Sequence, residues 1–402
     1  MRLQSSSDQR LRWVAGLFYQ RQEHLFDLLW VVPDKDPTGS VVPGQPVVWQ
    51  TNQLRVDRDK ALFGEVYFDI TDNLTAIGGT RWFEYENSLF GFYGREWHCT
   101  GYFDDNGNFV EDENGTLQTP CFNTGVVDDV QKGDDIAWKG SLEWRVGDGK
   151  MVYATYSEGF RAGGVNRARV EGVLGYQPDW VYNYEIGWKT SWAGGRVRFN
   201  GAAYIVDWDD FQFSFLDFSV SPLTIIQNVG KARTKGIEWD LDWAATDNLT
   251  LSFAGSYNDA KLQEDFWRQD DDRIAGEPPN AAKGQRMPYV PELQLTAIGR
   301  WNFNMFGLPS FAQAAMAYTD DAWSDLETAT RQKMDSYSVL NLSAGIEKEG
   351  WSLTFYVNNV TDERGQIDIT DAGYPNWPPP GLDWTENVIR PLSYGIRWAQ
   401  RF

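Results

Sequence analysis

The chain holds two histidines, His24 and His98, and two cysteines, Cys99 and Cys121. His98 adjoins Cys99, a pairing of two soft donors, but two ligands are too few for a structural zinc site. The cysteines lie 22 positions apart across a Gly-, Asp- and Asn-rich stretch. That spacing suits a disulfide stapling a polar loop in an oxidising compartment, with two free thiols as the alternative. Two acidic runs, DDNGNFVEDENG (104–115) and EDFWRQDDDR (264–273), offer oxygen ligands for calcium. The first lacks the glycine that an EF-hand loop needs at its sixth position, and solvated loops account for both. No G-x-S-x-G nucleophile elbow is present. The chain is read as a non-enzyme with no metal site and no cofactor.

Binding chemistry has more to draw on. Arg161, Asn166 and Arg167 follow the segment MVYATYSEGF and could contact a ligand; turn chemistry in GFRAGG is the structural alternative. Tyr93, Trp97, Tyr102, Trp377 and Trp384 stand in loop-like stretches. Such aromatics can clamp an aromatic or sugar ligand, or pack loop on loop.

The elements that must carry these residues show in the patterning. Aromatic residues make up 15% of the 402 residues, with 20 tryptophans, and hydrophobic residues 42%, yet mean hydropathy is −0.49. Apolar residues are therefore plentiful but interleaved. Ile237, Trp239, Leu241 and Trp243 alternate with Glu238, Asp240 and Asp242, and Trp351, Leu353, Phe355 and Val357 with Ser352, Thr354 and Tyr356. Period two puts one set on each face of a strand. The segments run about 10 to 16 residues, longer than the usual strand of a soluble domain. No apolar run is long enough for a transmembrane helix, and MRLQSSSDQR has no signal-peptide core. The net charge of −21 argues against nucleic acid.

Short polar turns alternate with long loops. The turns fall at 6–9, 71–73, 147–150, 193–196, 246–248, 304–307 and 347–350, and TDNLT occurs twice, at Thr71–Thr75 and Thr246–Thr250. The long connections cover 30–56, 90–132, 161–178, 215–223, 263–287, 321–334 and 364–386. Together these predict an all-β fold: an antiparallel transmembrane barrel of about 15 strands, apolar face to lipid and polar face to a lumen. Glu65, Glu143, Glu238, Asp240 and Asp242 then line that lumen. An odd strand count leaves two unpaired edges, so Met1 is expected to start inside a larger fold, and the chain alone to aggregate.

Several stretches resemble TonB-dependent outer-membrane receptors: MVYATYSEGFRAGGVNRA (151–168), YNYEIGWKTSWAGGRVRFNGAAYIVDWDDFQ (182–212), NVGKARTKGIEWDLDWAATDNLTLSFAGSYNDAKL (228–262) and LNLSAGIEKEGWSLTFYVNNVTDER (340–364). The closing YGIRWAQRF resembles the family's last strand, which implies that Phe402 is read by the barrel assembly machinery. The resemblance covers almost the whole chain. It implies that residues 1–402 are the C-terminal part of a barrel of about 22 strands, lacking the signal peptide, the plug domain and the first strands. It implies a place in the outer membrane of a Gram-negative bacterium, in contact with lipid. It implies energy-coupled uptake of a scarce large ligand, most often a ferric siderophore, with the TonB coupling complex engaged through the N-terminal part. A passive pore or surface-binding barrel is the alternative.

Overall fold

A computed structural model describes residues 1–34, 45–95, 101–103, 109–111, 125–167, 175–215, 224–268, 276–371 and 384–400; residues 94–95, 101–103, 109–111, 125–126, 371 and 384 are described by their backbone alone. The strands, in chain order, are β1 (Arg2–Gln4), β2 (Leu11–Val31), β3 (Val47–Asp69), β4 (Leu74–Arg95), β5 (Gly101–Phe103), β6 (Phe109–Glu111), β7 (Gly125–Gly147), β8 (Lys150–Arg161), β9 (Asp179–Trp192), β10 (Val197–Phe215) and β11 (Ile225–Ala244). They continue with β12 (Leu249–Leu262), β13 (Leu293–Met305), β14 (Leu308–Thr319), β15 (Ala322–Trp323), β16 (Lys333–Met334), β17 (Tyr337–Lys348), β18 (Trp351–Asn358), β19 (Gln366–Asp371), β20 (Trp384–Val388) and β21 (Ser393–Gln400). Fifteen of them form one antiparallel sheet in which sequence neighbours pair, from β1 at one edge to β21 at the other. The pairs β5–β6, β15–β16 and β19–β20 are small separate ribbons at the long-loop end. The fifteen-stranded count matches the pattern of turns and loops, and the sheet is an incomplete barrel whose edges, among the described residues, do not pair with each other.

Register turns the alternation into two faces. Phe68, Ala76, Leu142, Ala154, Ile186, Ala203 and Ile237 form one continuous cross-strand row. The large members are exposed: Leu142 49%, Ile186 66% and Ile237 41%. In water, so much bare apolar surface would be a liability; against lipid it is the stable choice. The opposite face carries ions in pairs. Lys139 reaches Glu65 at 3.2 Å, and Arg198 reaches Asp242 at 2.9 Å. Asn200 donates to Asp240 at 3.0 Å. Thus three of the five expected lumenal carboxylates have wall partners of their own.

The repeated TDNLT builds the same turn twice. The Thr71 hydroxyl accepts from the backbone N–H of Leu74 at 3.1 Å, and Thr246 from Leu249 at 3.0 Å. Threonine hydroxyls closing their own turn satisfy backbone donors that the hairpin leaves open.

Two expected loops are shorter than their sequence suggests. Positions 47–56 belong to β3, and β4 runs on to Arg95, so both strands rise well past the apolar band. Their upper outer faces are charged. Arg58 and Lys132 (2.8 Å) both pair with Glu86, and Lys60 pairs with Glu84 at 2.7 Å. With ions on the outside, the apolar alternation vanishes from the sequence while the hydrogen-bonded ladder continues.

Candidate functional site

At the long-loop end, the segment that follows β8 folds inward. Arg161 ends β8 and Asp179 opens β9, and the two side chains join across the base of the loop. Asp179 is fully buried and accepts from Arg161 Nε at 2.9 Å, from the Arg161 terminal nitrogen, and from the backbone N–H of Gln212 at 3.0 Å. The guanidinium also lies 4.9 Å from the Trp208 ring centre. Arg161 is therefore a clamp on three strands.

From that clamp, residues 162–167 reach β4 and β3, two and three strands along the sheet from β8. The Arg55 guanidinium donates to the Val165 carbonyl oxygen at 2.8 Å. Asn87 Oδ1 accepts from the Val165 N–H at 2.8 Å. Gln53, fully buried, donates through Nε2 to the Arg167 carbonyl at 2.8 Å and accepts from Arg167 Nε at 3.3 Å. On the other side, Asn166 exchanges two hydrogen bonds with the backbone of Ile226, at 2.8 and 3.0 Å. This strap thus ties β3 and β4 to β11. Its glycines allow the close approach: a Cβ on Gly163 would sit 2.5 Å from the Tyr176 carbonyl oxygen. Apolar contacts back it, with Phe160, Ala162 and Trp180 on Ala61, Phe83 and Tyr85, and Val165 on Leu89 and Val127.

A second assembly closes over β10–β12. Phe211, Val229, Leu262, Phe266, Ala281 and Leu326 form one buried cluster drawn from both strands and loops. Glu327, 3% exposed, holds Arg268 at 2.6 Å, and Arg286 holds Asp321 at 2.9 Å. The Tyr289 hydroxyl donates to Asp368 at 2.7 Å, so β19 is tied to this assembly. Burial, and then that hydrogen bond, push the Tyr289 phenol up, while the donors Tyr289 and Asn387 hold Asp368 below the usual carboxylate range.

Of the residues singled out in the sequence, Tyr93, Asn166 and Arg167 fall in one neighbourhood, and Arg161 lies at the base of the same strap. Tyr93 is buried and stacks on Trp49, with ring centres 5.6 Å apart. Asn166 is buried and structural. Arg167 remains partly open, 4.5 Å above the Phe26 ring centre. Cys99, Cys121, His98, Trp97, Trp377 and Phe402 lie outside the described residues, as do the side chains of Tyr102 and Trp384. Gln53, Arg55, Asn87 and Asp179 escaped the sequence reading. For the first two, the alternation Trp49, Thr51, Gln53, Arg55, Asp57 was the available signal.

Comparison with known proteins places this architecture. A family described as TonB dependent receptor-like, beta-barrel, matches residues 2–360. The ferric yersiniabactin uptake receptor FyuA from Yersinia pestis superposes with a TM-score of 0.74 at 16% identity, covering 99% of this chain and 52% of that one. The ferric-catecholate import receptor Fiu from K12 E. coli, in its closed form, gives 0.68 at 15% identity, covering 99% and 53%. The copper transporter OprC gives 0.64 at 14% identity, covering 98% and 54%. At these identities the likeness speaks for the fold. The chain spans about half the length of these structures.

Proposed function

Because the chain belongs to the family of TonB-dependent receptor-like β-barrels, we propose that it forms the barrel wall and outer mouth of a Gram-negative outer-membrane receptor, which takes up a scarce large ligand of the siderophore type under TonB coupling. The observation that carries this reading is the combination of a lipid-suited outer face with a mouth organised by loops folded inward. A wall alone would suit a passive pore. A strap tied at both ends, with a buried carboxylate at its base, is costly to build and suits a surface that must hold its shape around a ligand. The named ligands of the fold neighbours, yersiniabactin-bound iron and ferric catecholate among them, support a metal chelate as the class. Partners in this reading are the TonB coupling complex, the outer-membrane lipid and the barrel assembly machinery.

The test is uptake of radioactive iron chelates by iron-starved cells with and without the gene. The expected result is loss of uptake of one chelate on deletion, and equal loss in the parent strain when the proton-motive force is collapsed. Uptake that survives the collapse would indicate a passive pore.

A further inference from the structure

The strap brings two arginines together with no counter-charge among the described residues. Arg55 stands on the inner face of β3, and Arg167 reaches back to the same wall from the strap. Both are held by neutral oxygens: Arg55 by the Val165 carbonyl, Arg167 by the Gln53 side-chain oxygen. Among the described residues neither has an ion-pair partner. The Arg55 Nε is buried and donates to nothing there. The nearest acid along the same strand, Asp57, is engaged by Asn87 and faces His24 at 3.9 Å. Burial, and then the Arg55 charge, lower the Arg167 pKa, the expected sign for a cation held in a hostile position. Arg81 and Arg331 likewise lack an ion-pair partner among the described residues, but each lies over a single ring, Phe18 and Trp323, whereas Arg55 and Arg167 are joined by one strap. The net charge is −21, and arginines elsewhere in the mouth, such as Arg161, Arg268 and Arg286, have carboxylates.

Two like charges fixed side by side without an anion raise the energy of the empty site, and an arriving anion recovers it. The guanidiniums are also pre-oriented. Gln53 grips Arg167 at both its backbone and its side chain, so little order has to be gained on binding.

We infer that Arg55 and Arg167 form an anion-recognition site in the mouth, and that it selects ligands bearing clustered negative oxygens, such as the phenolates or carboxylates of a metal chelate. This rests on the receptor reading and adds charge selectivity to it.

The experiment uses the intact receptor that carries this chain, in outer membranes, and two probes: trianionic ferric tris(catecholate) and an uncharged ferric trihydroxamate. Binding is read by tryptophan quenching at several salt concentrations. The wild type is expected to favour the trianion, with affinity falling as salt rises. The R55Q/R167Q pair should lose about tenfold for the trianion and little for the neutral chelate, and R55K/R167K should retain most of the preference. R55E/R167E should reverse the preference, an outcome that a misfolded variant cannot produce. Binding that ignores charge in all variants overturns the anion site and leaves the receptor reading standing. Binding of neither probe by the wild type overturns the anion site, while the receptor reading stands or falls on the uptake test.

Discussion

Ile186 and Gln53 lie in the same sheet under opposite conditions. Ile186 is 66% exposed, and its neighbours in the row, Ala154 and Ala203, are ladder partners on adjacent strands. Gln53 is fully buried, and what buries it is the strap at Arg167, 114 positions away in the chain. At the membrane level a side chain is governed by parity and by the strands beside it. In the mouth it is governed by a loop arriving from elsewhere. Substitution should therefore have a face-dependent effect in the wall and a network-dependent effect in the mouth.

The largest effect is expected in the wall. Ile186→Arg puts a charge in the apolar band and should destabilise the folded state by about 2–4 kcal/mol, if the residue lies near the bilayer midplane. Asp240→Asn, on the inner face of β11, should change stability by less than about 0.5 kcal/mol. Reversible urea unfolding in lipid vesicles measures both. Equal costs would mean that the two faces are not divided between lipid and water.

The same contrast explains what could be read in advance. The wall was legible because period two, short turns and the doubled TDNLT are local signals, each with a local cause. Strand number and order followed from them. Legibility ended where the outer face changed from apolar to charged, near Lys60 and Glu84, since alternation can be seen only while the two faces differ in polarity. It failed more completely at the strap. Arg161 and Arg167 look alike in the string GFRAGGVNR, yet one is neutralised by Asp179 and the other meets Arg55. Nothing within twenty residues of Arg167 announces that partner. Asp179, just past the connection expected at 161–178, carries no local signal of its partner either.

The mouth offers the next test. Asp179→Ala removes the acceptor shared by Arg161 and the Gln212 N–H. The arginine side chain is half exposed and can turn to water, so the main cost is that two part-buried backbone donors, the N–H groups of Arg161 and Gln212, lose their acceptor. The expected loss is about 2 kcal/mol, felt locally. Hydrogen exchange should speed up across 162–167 and 175–179 while the lower halves of β8 and β9 keep their protection. Uniform acceleration along both strands would mean that the clamp supports the sheet rather than the strap. In the first case ligand affinity should fall with the strap's order, even though Asp179 touches no ligand.

The smallest effect belongs to the contact between Tyr289 and Asp368, which joins β19 to the neighbouring loop assembly. Asp368 titrates below its ordinary value, so its contribution is complete above the usual carboxylate pKa of about 4 and is lost as pH falls through the lowered one. Tyr289 titrates above its ordinary value, so its contribution is complete below about pH 10 and is lost as pH rises through the raised one. Docking of the β19–β20 ribbon should then be flat across the neutral range and weaken at both extremes. Tyr289→Phe should cost about 1 kcal/mol or less, since the ring is half exposed and the lost bond is a single one to a partly solvated carboxylate. It should abolish the alkaline limb and shift the acid limb toward higher pH, because among the described residues Asp368 then keeps Asn387 and Thr370 as side-chain donors. Exchange rates at 366–371 and 384–388, followed from pH 3 to 11, distinguish this from a ribbon held by its apolar contacts, Ile369 on Ala322 and Met334. A ribbon of that kind would be insensitive to pH, and Tyr289→Phe would leave its exchange unchanged.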